Sequence, residues 1–207
     1  MEEPEALHIL HANEAFAKLD AAIAINADAF ENGHTRANAL LKRIPVDKPF
    51  IGVELGTYRA ELAELLLKHR PLLELYMIDT WRIDVSLGGN DPTPLLSEEH
   101  YAEIFMDAAR RIAPYLDRAH IIKTTTNQAV NLFGEGFFDF AFIDADHAYH
   151  AVFDDIRLWL PKIQSSGFIS GHDYWSWSGT RSAVKFFFEG HIETDAGDTW
   201  FVDLSKR

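Results

Sequence analysis

"FDFAFIDADHAYHAVFDDI", residues 138–156, decides how this chain folds. Phe138 to Ile143 is a short apolar run with the aromatic and β-branched content of a buried strand, and it breaks abruptly into Asp144, Asp146 and His147. Beyond those acids, "HAVFDDIRLWLPKI" has apolar residues at helical spacing. A second apolar run, in "GFISGHDYWSWSG" (residues 167–179), ends in the same way on His172 and Asp173. Charged side chains beside a core are costly unless something uses them, so both strand ends are candidates for a site.

The same alternation extends upstream. "PFIGVEL" ends at Gly56 before the amphipathic "AELAELLLKHR"; "LLELYMIDTW" ends on an acid; a helix over about Ser97–Tyr115 leads into "RAHIIKTTT". Strands alternating with helices at this pace predict an α/β fold, a doubly wound and mostly parallel sheet covered on both faces. The tail reads differently. After the helix "RSAVKFFFEG", "HIETDAGDTWFVDL" predicts two antiparallel strands around Asp195-Ala196-Gly197-Asp198. From about His8 to Arg43 the apolar spacing is helical, with a break at Asn32-Gly33. This divides the chain into a helical extension, 1–48, and a ligand-binding domain, 49–207.

Composition narrows the function. The chain has 207 residues, 47% of them hydrophobic, as in an ordinary globular protein. It has no cysteine, which excludes disulfides, a thiolate nucleophile and cysteine-based zinc sites. A net charge of −13 repels phosphate backbones, so nucleic acid is not expected as partner. The N-terminus lacks a signal-like apolar segment and no run reaches membrane-spanning length, so the expectation is a cytoplasmic protein with no membrane partner.

Ligands of doubly wound sheets sit at the carboxyl ends of the strands. That rule gathers Glu54 with Gly56, Asp79, Thr126 with Asn127, Asp144 with His147, and His172 with Asp173 on one rim. Within "ELGTYRA", Gly56 permits close backbone approach, and Thr57 and Tyr58 follow it toward a helix N-terminus. Tyr58 and Ala60 stand where a dinucleotide fingerprint would have further glycines, so a pyrophosphate cradle is not expected. Asp79 is placed like the acid that bonds a ribose diol. A glycine turn with a ribose acid and no phosphate cradle suits a nucleoside without phosphate, such as S-adenosylmethionine.

"VELGTYRAELA", "LYMIDTW", residues 138–175 and "RSAVKFFFE" resemble the class I S-adenosylmethionine-dependent methyltransferases. Within these they are most similar to metal-dependent small-molecule O-methyltransferases, the macrocin and mycinamicin sugar O-methyltransferases and cephalosporin-pathway relatives; the caffeoyl-CoA and catechol enzymes are more distant. The resemblance runs from about Phe50 to the C-terminus. It implies a Rossmann-like methyltransferase fold and a small-molecule acceptor carrying a hydroxyl. It also implies cofactor contacts from Glu54, Gly56, Thr57, Tyr58, Asp79 and Asp144, with Thr126 and Asn127 on the adenine side. A divalent metal, magnesium or manganese, would be held by Asp144, His172 and Asp173, with His147 as general base. The consecutive pair in relatives is usually two acids or Asp-Asn. Here it opens with His172, which either ligates, favouring manganese, iron or zinc over magnesium, or lies against the substrate.

Other residues admit plainer readings. Trp175 and Trp177 wall the substrate or simply pack, "SLGGNDPTPLL" (86–96) is a lid or a surface loop, His150 is exposed, Asp154-Asp155 face solvent, and Phe186–Phe188 belong to the core or an oligomer contact. The N-terminal helices cover the site or join two copies in a homo-oligomer. The alternatives from other classes are a metal-dependent hydrolase and a noncatalytic scaffold on the same sheet.

Overall fold

The computed structural model describes residues 35–82 and 97–207. Most of the N-terminal helical stretch, the Asn32-Gly33 break and the 86–96 loop lie outside the described residues. Among the described residues seven strands form one sheet: β1 Phe50–Leu55, β2 Leu73–Asp79, β3 Ala119–Lys123, β4 Phe138–Ile143, β5 Ile163–Gly171, β6 Glu193–Asp195 and β7 Thr199–Asp203. Their order is β3-β2-β1-β4-β5-β7-β6. Pairings among β1 to β5 are parallel, and β7 runs antiparallel to both β5 and β6. This is the expected doubly wound sheet with an antiparallel C-terminal hairpin.

The helices are α1 (helical over 35–41), α2 Glu61–His69, α3 Glu98–Ile112, α4 Thr126–Ala129, α5 Tyr149–Trp159 and α6 Ser178–Phe188. Two apolar clusters show how they cover the sheet. On one face Ala37 and Leu40 of α1, Leu66 of α2 and Ile104 of α3 pack with Phe140, Phe142 and Phe168. On the other, Ala129 of α4, Ile156 and Trp159 of α5 and Val184 of α6 pack with Val53, Ala141 and Ile143.

The strands read as nearly continuous apolar runs because both faces are covered. Alternation then distributes their residues. Leu55 and Val53 face the α4–α6 side, whereas Phe50, Gly52 and Glu54 face the α1–α3 side, where Phe140 and Phe142 lie in register opposite Gly52 and Glu54. β5 begins at Ile163, earlier than "GFISG" predicts, with a register shift against β4 between Phe138 and Phe140. Pro161 closes α5 into a 3-10 turn over Leu160–Lys162. Among the described residues, no helix is long and apolar enough to cross a membrane.

Candidate functional site

Strand order reverses between β1 and β4, and the residues just past these two strands meet there. Gly56 has φ +86, and a Cβ on it would lie 2.2 Å from the Asp144 carbonyl oxygen, so only glycine fits. The turn that follows is strained: Tyr58 and Ala60 have φ 51 and φ 60, and Trp81 and Asp173, on neighbouring strand ends, have φ 42 and φ 61. Left-handed backbone in non-glycine residues costs energy, and four of the five such residues described here lie on this one rim.

Asp79 holds the turn in place. Its Oδ2 accepts from Thr57 N at 3.0 Å and Tyr58 N at 2.9 Å, and its Oδ1 accepts from Trp81 N at 2.8 Å. Two of the turn's N–H groups therefore point at a carboxylate. Two carboxylate oxygens offer about four acceptor positions, so Asp79 retains capacity for a further donor.

Glu54 ends β1 on the α1–α3 face at 3% exposure, and its Oε2 has no hydrogen-bond partner. Burial, reinforced by the charge of Asp144, pushes its carboxyl well above the usual range; Arg36 offsets this only in part. A buried acid in that condition suits a cationic ligand. Thr57 is buried beside it, while Tyr58 is largely exposed.

The acids and histidines of β4 and β5 converge. One ligand atom from each of Asp144, His147 and Asp173 lies within 4.8 Å of the others, the spacing of a set that could hold a cation. His147 Nε2 is 2.8 Å from Asp173 Oδ2, and the His147 ring stacks on Trp177 with centroids 4.9 Å apart. His172 Nδ1 sits between the carboxylates, 2.8 Å from Asp173 Oδ2 and 3.4 Å from Asp144 Oδ1. Burial works against charge on His172, but hydrogen bonds to Asp144 and Asp173 outweigh it and push the imidazolium up to about 9. Burial likewise opposes the Asp173 carboxylate, and hydrogen bonds with His147 and His172 override it, holding the group well below the usual carboxylate range.

Thr126 and Asn127 stand apart from this cluster at the start of α4, beyond β3. Asn127 is exposed, and the Thr126 hydroxyl donates to Asp155 Oδ1 at 2.6 Å. Asp155 corrects the expectation that it faces solvent. It is 3% exposed, because the helical turn that directs Val152, Ile156 and Trp159 inward carries it toward α4; only Asp154 faces out, pairing with Arg157. Trp175 is 61% exposed, and His150 is exposed as expected.

Two residues were not singled out by sequence reasoning. Arg36 of α1 donates from Nη1 to Asp144 Oδ2 at 2.5 Å. Asp198, in the β6–β7 turn, accepts from Trp175 N at 2.7 Å and Ser176 N at 3.0 Å, and so holds the loop after Asp173. Arg36 lies 108 residues from its partner, beyond the reach of local patterning. Asp198 carried a turn signal only.

A family model described as a methyltransferase domain matches residues 50–174. Among solved structures, the O-methyltransferase NovP is similar with TM-score 0.58 and 16% identity over 76% of this chain and 72% of that one. CalS11, a TDP-rhamnose 3'-O-methyltransferase of calicheamicin biosynthesis, is similar with TM-score 0.56 and 11% identity over 81% and 76%. Fibrillarin from Aeropyrum pernix, in complex with natively bound S-adenosyl-L-methionine, is similar with TM-score 0.54 and 12% identity over 84% and 76%. No curated protein matches the sequence significantly. The structural likenesses are of fold alone at such identities. The matched segment runs from the first residue of β1 to the residue after Asp173, and so contains the glycine turn, Asp79 and both acidic strand ends. The chain belongs to the methyltransferase-domain family, with the class I S-adenosylmethionine-dependent fold.

Proposed function

We propose that the protein methylates a hydroxyl group of a small molecule, using S-adenosylmethionine and assisted by a divalent cation. The observation that carries this reading is the joining, at one strand-order reversal, of a glycine turn closed on Asp79 with the cluster of Asp144, His147 and Asp173. NovP and CalS11, similar in fold, are O-methyltransferases by name, which supports oxygen as the acceptor atom.

When bound, the cofactor supplies an electrophilic methyl group on a sulfonium, and a divalent cation lowers the pKa of an acceptor hydroxyl. The chain's own residues supply the rest. Asp79 has acceptor capacity left for a ribose hydroxyl, and a cationic ligand would favour the charged form of the buried Glu54 carboxyl. Asp144 and Asp173 are the carboxylate ligands. His172, hydrogen-bonded to both, orients them. His147 is the general base: its plane is fixed by Trp177, and once Asp173 turns from its Nε2 to the cation, Nε2 can take the hydroxyl proton as the methyl leaves the sulfonium for the oxygen.

Calorimetric titration of the chelator-treated protein with S-adenosylhomocysteine, with and without manganese, tests this. One-to-one binding that weakens at least about tenfold in Asp79→Asn is expected, since a charged hydrogen-bond acceptor is lost. Absence of binding under every metal condition would overturn the cofactor reading. His147→Ala separates the roles: a base keeps manganese affinity while methyl transfer is lost, whereas a ligand loses both.

A further inference from the structure

Arg36 is the one cation from outside the family-matched segment that reaches the acidic cluster among the described residues. Its Nη1 contacts Asp144 Oδ2 at 2.5 Å, and His172 faces the other oxygen, Oδ1, at 3.4 Å. Both oxygens of this candidate ligand therefore already have a nitrogen partner. The Nε of Arg36 is buried without a hydrogen-bond partner, and among the described residues its guanidinium contacts the side chain of Asp144, with the charge of Glu54 nearby. Nor is α1 free to swing away. Ala37, Ala39 and Leu40 are fully buried in the core, and just beyond α1 Lys42 and Arg43 pair with Asp195 of the C-terminal hairpin at 2.9 and 3.0 Å.

We infer that Arg36 is the resident counter-ion of Asp144 and competes with the divalent cation for it, setting how tightly the metal is held. The inference rests on the metal reading above. Asp144 keeps lone pairs for a cation, but a guanidinium left on Oδ2 repels the ion, so the cation is held more tightly as the Arg36 contact loosens. Arg36 thus acts as a positioning residue: it keeps Asp144 in place in the metal-free protein and weakens metal affinity in return.

The test is a manganese titration of chelator-treated full-length protein, followed by electron paramagnetic resonance. Arg36→Met should bind manganese about tenfold or more tighter than wild type, as expected for removal of a like charge in direct contact with a ligand. Arg36→Lys, which keeps the charge, should stay near wild type. Equal or weaker binding by Arg36→Met, with one-to-one binding by wild type, would overturn the inference and leave the metal reading intact. No binding by either protein would overturn the metal reading and the inference with it. Should Arg36→Met fail to fold, the wild-type protein still decides: the Arg36 Nε–H resonance should move on saturation with magnesium, and a resonance that stays in place would overturn the competition.

Discussion

Among the described residues the Asp155 carboxyl accepts one side-chain hydrogen bond, from Thr126 Oγ1, and it is 3% exposed. Burial pushes its carboxyl up to about 7, the Thr126 hydrogen bond opposes this, and the charges of Asp146 and Asp154 add to it. In the unfolded chain the same group titrates near its ordinary value of about 3.9. The folded state therefore keeps a proton that the unfolded state has lost, and stability falls as pH rises from about 4 to about 7. The penalty above that range is on the order of 3–4 kcal/mol. Asp155→Asn keeps an oxygen for Thr126 and removes the penalty. Denaturant unfolding should show the variant close to wild type at pH 4 and more stable by about 3 kcal/mol at pH 8. An equal difference at both pH values would mean that the folded protein does not retain the proton. Periodicity alone did not show this residue as buried, because an acid beside another acid reads as a solvated face until α4 is seen to cover it.

At the scale of elements, the strands were legible and the reason for their exceptions was not. The apolar runs of β1, β2, β4 and β5 stand out in the sequence because the sheet is covered on both faces, and the strand-end acids mark where burial stops. Gly52, in the middle of "FIGVEL", is explained only by pairing. It lies opposite Phe140 of β4, and a Cβ there would stand 2.0 Å from Phe140 Cε1. Phe140 cannot yield easily, being stacked against Phe50 at 5.9 Å and Phe168 at 5.1 Å. Gly52→Ala should therefore destabilise the protein by about 2–3 kcal/mol through overpacking. Shortening the ring as well, in Gly52→Ala with Phe140→Leu, should cost less than the sum of the two single changes by about 1 kcal/mol. Additive losses in urea unfolding would show that the glycine serves some other need.

At the scale of the molecule, the candidate site is held from outside the segment that defines the family. The rim acids were legible because each ends an apolar run. What holds them in place was not, because Arg36 and Asp198 act across the fold from a helix and a hairpin whose local patterns say only helix and turn. The β6–β7 hairpin serves both sides. Asp195 anchors Lys42 and Arg43 next to α1, and Asp198 fixes the backbone of Trp175 and Ser176 behind Asp173. Asp173 itself is held at φ 61, a conformation its surroundings must impose. Asp198→Ala removes both acceptors from the loop, and Asp198→Asn keeps one. Because Trp175 and Ser176 are exposed, water replaces much of what is lost, so the alanine variant should cost only about 1 kcal/mol of stability. The effect on the site should be larger: manganese affinity about tenfold weaker, the scale on which groups behind metal ligands act. Hydrogen exchange should show amides 174–176 losing protection in Asp198→Ala and retaining most of it in Asp198→Asn. A hairpin that only closes the sheet edge would instead lower stability without changing either manganese affinity or the exchange of that loop.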